Sequence, residues 1–124
     1  MLNHTVLIVE DEAILREAYA IVLSSHGYRV STAANGLLAL NELEREVPDL
    51  ILLDMLMPVM NGEQFLTKSS VLKKHKTVKV IVYSNLSDRE TVERLMQLGI
   101  HEHILKSSMA PSQLTTYVEA ALAT

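Results

Sequence analysis

The stretch LILLDMLMP, residues 50–58, interrupts an apolar run with a single carboxylate, Asp54. Near the start of the chain, VLIVEDE (6–12) sets Glu10, Asp11 and Glu12 directly after another apolar, β-branched run. Farther along, IVYS (81–84) ends in Ser84, and HEHIL (101–105) is followed by Lys106. Grouped carboxylates repel one another unless a proton or a cation intervenes. Oxygen donors without His or Cys suit a hard ion, Mg²⁺ before Zn²⁺. Mg²⁺ in such a site keeps several waters and shares itself with a phosphate of its substrate. An ammonium and a hydroxyl opposite the metal could hold phosphoryl oxygens. A carboxylate beside it can act as a nucleophile and become an aspartyl phosphate. Asp54 is the best-placed nucleophile, because the run it ends is the most apolar in the chain.

Taken singly, each residue also has an ordinary explanation. Glu12 reads as an acid that complements a helix start, Asp54 as a turn residue, Ser84 as a hydroxyl turn and Lys106 as a solvated strand end. For Asp11 alone the two readings are even. The elements that carry these residues decide the matter. TVLIV (5–9) reads as a strand, and residues 12–26 as a helix with apolar positions at 14, 15, 18, 21 and 22, closed by Gly27. A more polar strand spans 28–34 and ends at the turn pair Asn35-Gly36, before a helix over 37–45. A third strand, 50–53, precedes a helix over 62–74, and a fourth, 78–83, precedes a helix capped by Ser87 with Glu90 three residues on. Gly99 ends that helix, 101–105 is a short fifth strand, and Pro111 opens a last helix to about residue 123. Five βα units imply a parallel sheet covered by five helices on its two faces, a doubly wound three-layer sandwich. Ligands of such folds bind beyond the C-terminal ends of the strands. Four of the five strands therefore deliver a carboxylate, a hydroxyl or an ammonium to one rim.

The bulk properties are compatible with this. A chain of 124 residues suits a single domain, 1–124. It has no Cys, which excludes disulfides, zinc–thiolate sites and thiol nucleophiles. No apolar run approaches the roughly 20 residues of a membrane span, and MLNHTVLIVE has no basic leader pattern. A net charge of −4 argues against direct nucleic-acid binding by this domain. The expected location is cytoplasmic.

The residues resemble the receiver domain of two-component response regulators. The resemblance rests on VLIVEDE (6–12), LILLDMLMPVMNG (50–62), IVYS (81–84) and Lys106, in order across essentially the whole chain; DMLMPVMNG is its most specific piece. It implies the flavodoxin-like strand order 2-1-3-4-5, with Asp54 as phosphoacceptor. It implies that Glu10, Asp11, Asp54 and the backbone carbonyl of Leu56 hold Mg²⁺. Asp11 would bind directly, whereas Glu10 stands where Asp is more common and could act through water. Ser84 would turn toward the phosphoryl group, Lys106 would pair with it, and Ser84 with His103 would form the switch. A histidine kinase or phosphotransfer protein would supply the phosphoryl group. The chain would be a signalling phosphoacceptor rather than an enzyme, assisting its own phosphorylation and slow dephosphorylation. The face formed by the fourth helix, fifth strand and fifth helix would meet an output domain, a downstream protein or a second copy.

Three departures bear on mechanism. Ser107 follows Lys106 where the family often has a cis proline, His103 replaces an aromatic switch residue, and Asn85 follows Ser84 where a smaller residue is frequent. Leu56 and Leu86 are expected to flank the site with apolar bulk and to lengthen the life of the phosphorylated state. The cluster Met55, Met57 and Met60 reads as packing. Two other functions of the same architecture fit less well. A nucleotide- or flavin-binding domain needs a Gly/Ser/Thr loop where this chain has EDEAIL. A phosphohydrolase with an Asp nucleophile has a second Asp where this chain has Leu56. The remaining alternative is a receiver-shaped interaction module regulated without phosphorylation.

Overall fold

The structure, a computed structural model, describes residues 3–85 and 88–124. Its elements are β1 (Thr5–Val9), α1 (Ala13–Ser25), β2 (Arg29–Ala33), α2 (Gly36–Arg45), β3 (Leu50–Asp54), α3 (Gly62–Ser69), α4 (Val71–Lys74), β4 (Lys79–Ser84), α5 (Arg89–Leu98), β5 (Glu102–Leu105), a 3₁₀ turn (Lys106–Ser108) and α6 (Pro111–Leu122). All strand pairs are parallel, in the order β2-β1-β3-β4-β5. This is the doubly wound, flavodoxin-like sheet that the sequence implies.

Strand residues alternate between two cores, as their period of two requires. Val6, Ile8, Leu50, Leu52, Ile81 and Tyr83 pack with Tyr19 and Leu23 of α1 and with Leu114 and Val118 of α6. Leu7, Val9, Ile51, Leu53, Val80 and Val82 pack with Ala39 of α2, Phe65 and Leu66 of α3 and Leu95 of α5. Strands buried on both faces read as unbroken apolar runs, which is why LILL and VLIV stand out. The edge strand β2 is partly exposed and correspondingly more polar.

Three local readings differ from the structure. The helix expected over 62–74 is broken at Ser70, which adopts the left-handed conformation (φ 52°). Ser69 Oγ accepts a hydrogen bond from the Val71 N–H at 3.2 Å, and Ser70 Oγ donates to the Thr67 carbonyl at 3.4 Å. Adjacent hydroxyls thus offer the backbone local partners in place of the helical ladder. The predicted fourth and fifth helices are therefore α5 and α6. Asn35-Gly36 is not a turn closing β2 but the start of α2, where Asn35 Oδ1 accepts from the Leu38 N–H at 2.9 Å. The predicted cap Ser87, and Leu86, expected to flank the site, lie outside the described residues; the α5 N-cap is Asp88, whose carboxylate accepts from the Glu90 N–H at 3.3 Å.

The loop after β3 is pinned where the chemistry sits. Asn61 and Gln64 exchange the two hydrogen bonds of a capping box at the start of α3. Gly62 lies so close to β3 that a Cβ there would stand 2.7 Å from the Asp54 carbonyl oxygen. Met55 and Met57 are buried in the core and Met60 packs against it, the filling role expected of them.

Candidate functional site

The acids at the ends of β1 and β3 are buried. Glu10 is 0% and Asp54 2% exposed, while Asp11 lies open to solvent. One carboxylate oxygen from each of Glu10, Asp11 and Asp54 lies within 4.8 Å of the others. Lys106 reaches in from the far side of the sheet. Its Nζ stands 3.5 Å from Asp54 Oδ2, 3.5 Å from Glu10 Oε1 and 3.0 Å from Glu12 Oε1. Ser84, 4% exposed, ends β4, and its hydroxyl lies 3.0 Å from Nε2 of half-buried His103. The residues singled out in the sequence thus come together at one edge of one sheet.

Local hydrogen bonds fix the acids. Asp54 Oδ1 accepts from the Leu56 N–H at 3.2 Å, which ties down the turn carrying the Leu56 carbonyl. Glu10 Oε2 accepts from the Glu12 N–H at 3.0 Å, and Glu10 Oε1 from the Tyr83 hydroxyl at 2.9 Å. Arg16 Nη1 donates to the Glu10 carbonyl at 2.8 Å and more weakly to that of Asp11 at 3.4 Å. Leu56 stands at the rim with its side chain exposed. Among the described residues no peptide bond is cis, and Lys106–Ser108 forms the 3₁₀ turn that carries the ammonium to the acids.

The electrostatics follow from crowding negative charge in a dry place. Burial, then the charge of Glu10, push the Asp54 carboxyl up to about 7, against the pull of Lys106 and the Leu56 N–H. Burial works against charge on Lys106. Its hydrogen bond to Glu12 and the charges of Asp54 and Glu10 outweigh that and hold the ammonium above the ordinary lysine range. Burial lowers the proton affinity of His103, which favours the neutral imidazole. Among the described residues the donor set contains three carboxylates and no His or Cys, with two of the acids buried and the Lys106 ammonium beside them. It fits a hard divalent cation such as Mg²⁺.

Three contributors were not assigned a part in the chemistry by the sequence reading. Glu12 stands at the N-cap of α1 but makes no side-chain capping bond, and its carboxylate instead holds Lys106. Arg16, one turn farther on, ties down the backbone of the two leading acids. Tyr83 was read only as part of a strand. The signal for it was a tyrosine next to Ser84 in a buried run, because a buried phenol needs a partner for its hydroxyl.

Comparisons with known proteins agree with this geometry. The sequence model of the response regulator receiver domain matches residues 6–119. Sporulation initiation phosphotransferase F of Bacillus subtilis (strain 168) is 34% identical over 106 residues, covering 86% of this chain and 84% of that protein. The phosphate regulon transcriptional regulatory protein PhoB of Escherichia coli (strain K12) is 30% identical over 117 residues, covering 94% of this chain and 51% of its own length. The chain thus spans about half the length of that regulator. The crystal structure of a CheY-like response regulator receiver domain protein from Methanospirillum hungatei JF-1 superposes with a TM-score of 0.89 at 25% identity, over 98% of this chain and 95% of that one.

Proposed function

The chain belongs to the response regulator receiver domain family, and from that premise we propose that Asp54 accepts a phosphoryl group in a Mg²⁺-dependent reaction. The donor is the phosphohistidine of a histidine kinase or phosphotransfer protein. The observation that carries this reading is the placement of Asp54: a nearly inaccessible carboxylate at the end of β3, within metal-ligand reach of Glu10 and Asp11 and 3.5 Å from Lys106.

In the reaction an Asp54 oxygen attacks phosphorus, the P–N bond to the donor imidazole breaks, and the imidazole keeps the electron pair and takes up a proton. Glu10, Asp11, Asp54 and the Leu56 carbonyl would hold Mg²⁺, which supplies positive charge against the acids and the phosphoryl oxygens. Lys106 exchanges its contact with the Asp54 carboxylate for one with a phosphoryl oxygen. Ser84, hydrogen-bonded to His103, donates to another and passes the change to the face made by α5, β5 and α6. That face is where an output domain, a downstream protein or a second copy would bind. The domain proposed is the whole chain, 1–124, working in the cytoplasm without contacting nucleic acid itself. No helix among the described residues is long and apolar enough to cross a membrane.

Intact mass after incubation with acetyl phosphate tests the proposal, with Mg²⁺ or with EDTA, for the wild type and Asp54→Asn. One added phosphoryl group that requires both Mg²⁺ and Asp54 is expected. An equal adduct on Asp54→Asn would refute the assignment. If there is no adduct and no NMR shift on titrating beryllofluoride, the chain is a receiver-shaped module regulated without phosphorylation.

A further inference from the structure

Tyr83 pairs in register with Asp54 across β3 and β4 and is fully buried. Its hydroxyl reaches past the end of β3 to the acid that follows β1. It lies 2.9 Å from Glu10 Oε1, with the Val9 carbonyl a weaker second acceptor at 3.5 Å. The ring has little freedom. Tyr19 meets it edge-on, with centroids 5.9 Å apart and planes at 80°, and Tyr19 is itself anchored through its hydroxyl on the Met109 carbonyl at 2.6 Å. The Lys106 ammonium lies 5.8 Å from the centroid of the Tyr83 ring. The phenol oxygen is therefore a fixed point.

Glu10 needs such a point. A glutamate has one more rotatable bond than an aspartate, and each freedom left to a ligand weakens the site it serves. Lys106 stands 3.5 Å from the same oxygen and could draw the carboxylate toward itself. Held by the Tyr83 hydroxyl on Oε1 and by the Glu12 N–H on Oε2, the carboxylate keeps one orientation. A carboxylate oxygen that accepts one hydrogen bond still has a lone pair for a cation. Because the phenol is neutral, it orients Glu10 without adding positive charge that would repel a dication.

We propose that Tyr83 is a positioning residue for Glu10, and that the two act as a unit in binding Mg²⁺. This rests on the reading of Glu10, Asp11 and Asp54 as the metal site. The test is isothermal titration calorimetry of Mg²⁺ into the unphosphorylated chain, which has no Trp to report binding by fluorescence. Four proteins are compared: wild type, Tyr83→Phe, Glu10→Asp and the double variant. Phe keeps the ring, its contact with Tyr19 and its place under Lys106, and urea unfolding in EDTA checks that the fold is intact. Tyr83→Phe should weaken Mg²⁺ about tenfold, as loss of a group that orients a metal ligand does. In the Glu10→Asp background the shorter carboxylate no longer reaches the hydroxyl, so the same substitution should change affinity less than about twofold. An unchanged affinity for Tyr83→Phe, or an equal loss in both backgrounds, overturns the proposal while leaving the metal site intact. A wild type that binds no Mg²⁺ overturns both.

Discussion

In the metal-free protein, Asp54→Asn should raise stability at pH 8 and leave it almost unchanged near pH 4. In the fold, burial and the Glu10 charge lift Asp54 from its ordinary 3.8 to about 7. A carboxyl raised in the folded state favours folding fully at pH values below 3.8. That contribution is lost as pH rises through about 7, because the folded state must then hold a charge that the unfolded chain carries at no cost. A displacement from 3.8 to about 7 corresponds to about 4 kcal/mol. Relaxation around the site reduces this, so a gain of about 2–4 kcal/mol is expected for Asn above pH 7. Asn has the shape of the protonated acid and keeps an acceptor for the Leu56 N–H, now 3.2 Å from Oδ1. The assay is urea unfolding followed by circular dichroism, in EDTA, from pH 4 to about 8.5. Adding Mg²⁺ at about 100 times its Kd should stabilise the wild type by about 2.7 kcal/mol and the variant much less, closing most of the gap. A gap that does not vary with pH, or an Asn variant less stable than wild type at pH 8, would refute this account of the charge.

Three further outcomes follow from the geometry. Gly62→Ala should cost about 2–3 kcal/mol, because its Cβ would meet the Asp54 carbonyl at 2.7 Å, backbone that cannot swing aside; urea midpoints measure the loss. Val59→Asn should stabilise by about 1 kcal/mol, because Val59 is exposed and sits at φ 70°, where a β-branched residue is strained and Asn is not; a lower thermal midpoint would show that the strain is not there. Glu12→Gln should lower the proton affinity of Lys106, whose ammonium Glu12 Oε1 holds at 3.0 Å, as read by NMR titration of Nζ. Stability should change by less than about 1 kcal/mol, since Glu12 is largely exposed.

What could be read in the sequence was whatever depended on strand ends. Once LILL and VLIV are taken as strands buried on both faces, parallel topology brings Glu10, Asp11, Asp54, Ser84 and Lys106 to one edge. No knowledge of side-chain directions is needed. What could not be read depended on where side chains go after leaving that edge. Glu12 looks like any acid at a helix start, and only the fold shows that Lys106, 94 residues away, takes its carboxylate. Tyr83 looks like strand filler, because its hydroxyl finds its acceptor two strands over. The break at Ser70 was missed for another reason: apolar periodicity continues through it, while the competing hydrogen bonds come from Ser69 and Ser70 themselves.

The charge arithmetic of the rim ties these observations to the chemistry. Among the described residues Glu10, Glu12 and Asp54 share the one ammonium of Lys106, and burial denies Glu10 and Asp54 the water that would offset their repulsion. Burial, then the Glu10 charge, push the Asp54 carboxyl up to about 7. A protonated carboxyl is a poor nucleophile, and the ionised carboxylate is the form that can attack. A dication placed among the acids would lower the proton affinity of Asp54 and leave its carboxylate ionised at neutral pH. On the proposed reading, dependence on Mg²⁺ would follow from how the fold crowds its acids, because the burial and the Glu10 charge that favour a proton on Asp54 are what a dication would offset.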